Sequence, residues 1–149
     1  MFSSGPPVQG CARPDETGSC ADRPSGPSSR RSAAGSFDIR DAYEAVREKL
    51  RQGAEFTALF AIADSMAIGA MRALRDAGRR IPEDCSVIAI DGLELSAYIE
   101  PPLTTLCQPM EEMGRRSAQI LLGMLRGHGT HCCEVLPTQL REGGSVQSL

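Results

Sequence analysis

Apolar and polar residues follow one another along the chain in blocks that predict strands and helices in turn. Residues 57–63 form an apolar run that is too short for a helix, and we interpret them as a buried strand. After Asp64 the apolar positions recur at helical spacing, and Gly78 ends that helix. Residues 86–90 form a second buried strand. A strand, a helix and a strand in about 35 residues make a βαβ unit, which implies parallel strands with a right-handed crossover.

The same patterns predict further elements on both sides of this unit. We expect a helix over residues 38–51, a short helical turn at 95–98, a third strand at 103–107 and a helix from Pro109 to Arg126. That last helix carries a wide apolar face, which predicts burial. Residues 134–140 alternate enough for a final strand, and the proline inside it favours an edge position. The fold class is therefore α/β, a Rossmann-like parallel sheet with flanking helices.

The first 35 residues differ from the rest of the 149-residue chain. Gly, Pro and Ser occupy 17 of these positions, and large apolar residues are almost missing. Such a segment buries too little surface to offset its ordering entropy. We therefore expect a disordered leader over residues 1–35 and a folded domain over residues 36–149.

Charge and composition exclude several classes of function. The net charge is −3 and aromatic residues are only 4% of the chain, so the domain offers neither a basic face nor stacking platforms for nucleic acid. No apolar run is long enough to span a membrane, and no secretory signal follows Met1. The six cysteines form no CxxC motif, which favours free thiols in a reducing, cytoplasmic context.

The sequence contains no pattern that predicts an enzyme. It has no G-x-S-x-G motif, no phosphate-binding loop and no nucleophile–base pair, and we expect no cofactor. One cluster suggests a zinc site, because two histidines flank a short loop beside two cysteines: His128, His131, Cys132 and Cys133. Adjacent cysteines do not readily chelate one ion together, and no second ligand pair is near. We therefore favour no metal site.

Two aspartates follow strands of the βαβ unit at their carboxyl ends, where ligands bind in open parallel sheets. A carboxylate there accepts hydroxyl hydrogen bonds, which suits a polyol or a sugar. Asp64 has a competing explanation as a helix N-cap that bonds the amide of Met66 or Ala67. Asp91 is less easily explained as a cap, because Gly92 does not begin a clear helix.

Three stretches together resemble the C-terminal sensor region of LacI/GalR-type transcriptional regulators. They are FTALFAIADSMAIGAMRALRDAGRRIPEDCSVIAID, YIEPPL and TTLCQPMEEMGRRSAQILL, followed by LPTQL. The resemblance covers roughly residues 37–146 in the order found in the family. It implies part of a type I periplasmic-binding-protein-like fold, in which two α/β lobes enclose a small effector such as a sugar or nucleoside.

The resemblance also implies roles for individual residues. Asp91, Asp64, Gln108 and Met110 fall where family members contact the effector or cross between lobes, and Ile68 and Tyr98 fall on the family's dimer surface. Members are dimers and bind DNA through a separate helix-turn-helix. We therefore expect a protein that binds a small molecule and is not an enzyme. We also expect it to form a homodimer or to associate with a full-length homologue.

The family's helix-turn-helix and most of its N-terminal lobe have no counterpart in this sequence, so we expect a truncated member. In the family, the helix over residues 110–126 belongs to the N-terminal lobe, so here it would lack its usual cover. It must fold back on the sheet, associate, or stay exposed. The alternative function is a fragment of a sugar solute-binding protein of a transport system, which needs an export signal.

Overall fold

Helices and strands alternate over residues 38–127 and 134–147, which are the residues that the computed structural model describes. In chain order the elements are α1 Ile39–Arg51, β1 Ala58–Phe60, α2 Asp64–Asp76, β2 Ser86–Asp91, a 3-10 helix Glu94–Ala97, β3 Thr104–Cys107, α3 Met110–Leu125 and β4 Gln139–Arg141. The predicted leader and the loop with His128, His131, Cys132 and Cys133 lie outside the described residues.

The four strands form one sheet in the order β1-β2-β3-β4. β1, β2 and β3 run parallel, and β4 pairs antiparallel with β3. This confirms the predicted α/β class with a parallel sheet. Two strand predictions were too long. β1 has three residues instead of seven, and β4 begins only at Gln139, after Pro137, because proline has no N–H for a strand ladder.

The helix boundaries follow from capping residues. Asp38 is the N-cap of α1, and its carboxylate accepts a hydrogen bond from the amide of Arg40 at 2.6 Å. Gly53 and Gly78 adopt positive φ angles of 75° and 77° shortly after α1 and α2. Glycine reaches that left-handed region without steric penalty, so both helices end where the sequence predicts.

The core lies between the sheet and α2, with α1 packed along α2. Met71 and Leu74 of α2 are fully buried and share one cluster with Val87 and Ala89 of β2. Burial of each larger side chain contributes about 1.5–3 kcal/mol. Alternate residues of β2 therefore face α2, as the predicted βαβ unit requires.

The C-terminal segment continues the sheet where β3 has not yet begun. Ser145 is fully buried, its carbonyl accepts from the amide of Val87 at 2.7 Å, and its hydroxyl donates to the carbonyl of Val87 at 2.6 Å. The same hydroxyl accepts from the amide of Thr104 at 2.8 Å. Ser145 thus joins β2 to β3 below their first paired residues.

The opposite side of the sheet, which we call the outer sheet face, is apolar and incompletely covered. The strand register places on it the side chains of Phe60, Ile88, Ile90, Leu106 and Leu140. Phe60 and Leu140 are more than half exposed. Parallel sheets are normally covered on both faces. The described residues supply a helical layer on one face.

The third helix does not pack into the core. α3 has no buried residue, and its exposed apolar side chains are Met110, Met113, Leu121, Leu122, Met124 and Leu125. The burial that its periodicity predicts is therefore wrong for this structure, and the helix stays exposed. β4 starts opposite Cys107, where β3 ends, so the chain returns to the same end of the sheet and needs no crossover over its face.

Candidate functional site

Asp91 ends β2 at the carboxyl edge of the parallel strands, where it is half-buried. Its backbone φ of 136° lies in a region that a residue with a side chain rarely adopts. The side chain of Gln108 donates to Asp91 Oδ1 at 3.0 Å, and the amide of Gln108 donates to the Asp91 carbonyl at 3.1 Å. Asp91 and Gln108, both predicted as site residues, therefore form one polar pair at this edge.

The side chain of Asp64 is held entirely within the protein. It is fully buried and accepts hydrogen bonds from the amide of Leu93 at 2.7 Å, the Ser96 hydroxyl at 2.8 Å and the Thr105 hydroxyl at 2.5 Å. Three donors and full burial describe a satisfied carboxylate. In this structure Asp64 presents no surface to a ligand, so its predicted ligand contact gains no geometric support.

The alternative explanation of Asp64 as an N-cap is wrong. The N-cap of α2 is Ala63, which makes no side-chain cap bond, and Asp64 is the first helical residue. Its backbone amide instead faces Asp91, with an N–Oδ2 distance of 3.4 Å. The two aspartates are thus neighbours: Asp64 is buried within the protein, and Asp91 lies at the carboxyl edge of the sheet.

The remaining predicted residues surround this pair or lie on other surfaces. Met110 begins α3 and is 63% exposed, and its amide donates to the carbonyl of Gln108 at 2.9 Å. Ile68 is half-buried on α2, and Tyr98 is 77% exposed just after the 3-10 helix. Met110 therefore borders the Asp91–Gln108 pair.

Sequence reasoning missed the buried Ser96 and Thr105 and the partly exposed Arg141 as polar partners of this network. Arg141 Nη2 donates to the Ser96 hydroxyl at 2.5 Å and to the carbonyl of Leu93 at 2.8 Å, and it lies 4.0 Å from Asp64 Oδ2. A weak signal existed, since the third strand carries two threonines among apolar residues and an arginine directly follows the predicted last strand. Nothing local in the sequence connects these positions to Asp64.

The two cysteines among the described residues are free thiols. Cys85 is buried, and this burial raises the pKa of its thiol from 9.0 to about 11. Cys107 is half-buried beside Asp91, its register partner across β2 and β3. Cys85 therefore acts as a small hydrophobic residue of the core.

Comparison with known proteins identifies the class. The model of the periplasmic binding protein-like domain matches residues 15–146. This range begins inside the predicted leader. The HTH-type transcriptional regulator MalR of Clostridium butyricum is 35% identical over 112 residues, which cover 75% of this chain and 33% of that protein. The regulator CelR of Thermobifida fusca is 39% identical over 113 residues, covering 74% of this chain and 33% of that protein.

Solved structures give the same result. The lac repressor dimer bound to operator and an anti-inducer aligns with a TM-score of 0.72 and 31% identity, covering 76% of this chain and 40% of that one. A complex of CelR with cellobiose aligns with a TM-score of 0.69 and 38% identity, covering 74% of this chain and 34% of that one.

The fold and the matching family model show that the chain belongs to the family of periplasmic-binding-protein-like domains, in the form found in the sensor region of LacI/GalR-type transcriptional regulators. The matched relatives are transcriptional regulators and not enzymes. The chain spans about a third of the length of the curated relatives it matches. No described helix combines the length and the hydropathy that a membrane crossing requires.

Proposed function

We propose that this domain senses a small sugar-like effector for a transcriptional regulator. One observation carries the proposal: the Asp91 carboxylate and the Gln108 amide meet at 3.0 Å on the carboxyl edge of the parallel strands. Ligands bind at that edge in open α/β sheets, and a carboxylate beside an amide accepts and donates hydrogen bonds to hydroxyl groups.

Met110 completes the proposed contact surface. It is exposed and adjoins Gln108 through the bond of its amide to the Gln108 carbonyl. A flexible, polarisable thioether gives an apolar platform for the C–H face of a sugar ring. Asp64 supports this surface from behind and does not touch the effector. The structures of related regulators with bound cellobiose and bound ribose support a sugar as the ligand class.

We propose that two copies associate through the surface that carries Ile68 and Tyr98. Besides Tyr98, Leu93 and Leu95 are exposed in the same segment, and large apolar side chains exposed close together in sequence favour an interface. The alternative partner is a full-length homologue that offers the same surface. Tyr98→Asp should lower the apparent mass in light scattering if this patch is the interface. An unchanged mass contradicts it.

We assign no DNA contact to residues 38–147 in this proposal. The net charge of −3 over the full chain argues against a basic face, and operator contact in such regulators belongs to a helix-turn-helix segment. A regulator of this kind works in the cytoplasm. The transport alternative has less support, because the matched curated relatives are regulators.

A thermal-shift and calorimetry series tests the effector site. The probes are D-ribose, cellobiose, lactose and adenosine, and the proteins are the wild type, Asp91→Ala and Asp91→Asn. We expect one probe to stabilise the wild type and to lose at least about 1.4 kcal/mol of binding free energy, tenfold in affinity, in both variants.

Glu94→Gln is the matched control, because Glu94 is an exposed acid three residues further along the same segment. It should bind the probe as the wild type does. Equal affinity of the wild type and Asp91→Asn, or the same loss in the control, would remove Asp91 from the site. Binding of none of the four probes would contradict the proposed ligand class.

A further inference from the structure

Arg141 reaches from the last strand to the segment that follows Asp91. Its Nη2 donates to the Leu93 carbonyl at 2.8 Å and to the Ser96 hydroxyl at 2.5 Å. About a third of its side chain is exposed, while the opposing Asp64 carboxylate is fully buried 4.0 Å away. One guanidinium therefore links β4, the 3-10 helix and the buried carboxylate.

The hydrogen bonds around Ser96 show how Arg141 determines which acceptor receives the Ser96 hydroxyl proton. The Ser96 hydroxyl has one proton and two acceptors in range, Asp64 Oδ2 at 2.8 Å and the Leu93 carbonyl at 2.7 Å. Arg141 donates to the Leu93 carbonyl and also to the Ser96 oxygen. The Leu93 carbonyl also accepts from the Ser96 amide at 3.2 Å, so the Arg141 bond fills its second lone pair and the hydroxyl proton goes to the carboxylate. Arg141 thereby sets the direction of the whole network.

This network holds the part of the chain on which Asp91 depends. Asp91 and Gly92 both have positive φ, 136° and 80°, so the turn that they form is strained at Asp91 and needs support from both sides. Gln108 supplies one side through two hydrogen bonds. Asp64 supplies the other, because it binds the Leu93 amide with its carboxylate and faces Asp91 Oδ2 with its own amide.

We infer that Arg141 is a positioning residue for the effector site: it fixes the 91–97 segment through Leu93, Ser96 and Asp64, and so sets the orientation of the Asp91 carboxylate. Arg141 itself does not touch the effector. The meaning of this role for ligand binding rests on the proposed function, whereas its effect on the Asp91–Gln108 pair does not.

Amide exchange and side-chain NMR test the role without a ligand. In Arg141→Met the guanidinium is lost and the apolar stem is kept. We expect the Leu93 and Gln108 backbone amides to exchange at least about tenfold faster, and the Gln108 side-chain NH₂ signals to shift. The Ala61 and Val87 amides, within the sheet and its edge, should change less than about twofold.

Two further variants make the outcome specific. Arg141→Lys keeps the charge but lacks the planar fork, so its exchange rates should fall between those of the wild type and Arg141→Met. Arg51→Met is the matched control, because Arg51 makes an exposed ion pair with Glu48 on α1. It should leave Leu93 and Gln108 unchanged. Unaltered Gln108 signals in Arg141→Met, or equal acceleration of every amide, would overturn the inference.

The ligand arm separates the two proposals. With the probe that stabilises the wild type, Arg141→Met should raise Kd about tenfold and Arg141→Lys less. If the wild type binds no sugar, the proposed effector class fails while the exchange results still decide the role of Arg141. If a sugar binds equally to the wild type and Arg141→Met, the positioning role fails and the proposed function stands.

Discussion

Gly92 makes the turn after β2 possible at the scale of a single residue. It has a φ of 80°, and a Cβ built on it would lie 2.6 Å from the sulfur and 2.7 Å from the Cα of Cys107. The backbone of β3 does not move aside readily, unlike the end of a flexible side chain. The turn therefore tolerates no side chain at this position.

Gly92→Ala should consequently lower the free energy of unfolding by about 3 kcal/mol or more, because backbone strain adds to overpacking. Gly53→Ala is the matched control, since Gly53 has a φ of 75° with no atom within 4 Å. It should lose only about 1 kcal/mol, the strain alone. Urea unfolding of both variants measures the difference, and equal losses would contradict the close contact.

Cys85 gives the protein a pH dependence on the alkaline side. Burial raises the pKa of its thiol from 9.0 to about 11, so the folded state holds the thiol proton more tightly than the unfolded state does. The contribution of the protonated Cys85 thiol to the free energy of unfolding is complete below pH 9 and is lost as the pH rises towards 11. The slope reaches at most about 1.4 kcal/mol per pH unit, the linkage of one proton.

Urea unfolding between pH 8 and pH 11 measures this slope. Cys85→Ala should be less stable at pH 8 because it leaves a cavity, and its stability should fall less steeply over the alkaline range. A slope that is identical in Cys85→Ala and the wild type would assign the effect to other groups.

Local spacing predicted that Asp91 lies at the carboxyl end of a strand, and the family resemblance added Gln108, but the N-cap explanation of Asp64 was wrong. An aspartate at the start of a helix fits a cap by local spacing, and the local pattern contains nothing else. Its real partners Ser96 and Thr105 are 32 and 41 positions further along the chain. Such a network is created by the sheet register, so it becomes visible only when the strands are paired.

At the scale of elements, α1 and α2 meet at a glycine. A Cβ on Gly69 of α2 would lie 2.0 Å from the carbonyl oxygen of Ile39, in the first turn of α1. The two helices therefore approach backbone to backbone at that point. Tyr43 adds a bond across the same contact, with its hydroxyl donating to Asp76 at 3.0 Å.

Gly69→Ala should push α1 away from α2 and lower the free energy of unfolding by about 2 kcal/mol or more, despite the better helix propensity of alanine. Gly114→Ala is the control in α3, where no atom lies within 4 Å of the added methyl group. It should raise stability or helicity slightly, by up to about 1 kcal/mol. Circular dichroism during thermal unfolding compares them, and a stabilised Gly69→Ala would exclude the close contact.

Periodicity predicted the existence and type of these elements well, but it predicted burial and sheet edges less well. The apolar stripes of α3 resemble those of a core helix, yet no residue of α3 is buried. An apolar stripe indicates that a helix can pack against another surface, but it does not show whether the same chain provides that surface. In β4 the alternation extended back to Glu134, whereas pairing begins at Gln139 because Pro137 interrupts it.

At the scale of the whole molecule, two apolar surfaces lack a cover among the described residues: the outer sheet face and the stripe of α3. Each large side chain that could be buried contributes about 1.5–3 kcal/mol, so contact between copies is strongly favoured. We expect association or low solubility. Light scattering should show species larger than a monomer, with binding of a dye that reports exposed apolar surface.

Leu121→Glu with Leu125→Glu should reduce both the dye signal and the mass, because both side chains are exposed on α3. Gln119→Glu adds a charge at an exposed polar position of the same helix and should change neither. A monodisperse wild-type monomer without dye binding would show that these surfaces are covered.

The antiparallel pairing of β3 and β4 has a consequence for how the chain could be shortened. Cys107 and Gln139 lie opposite each other, so the 31 positions between them connect the end of β3 to the adjacent start of β4. A tight hairpin turn would close that gap without altering the order of the strands or the packing of the first two helices. α3 contributes no residue to the core cluster. A two-residue turn in place of the segment that contains it would therefore leave the packing of the core unchanged.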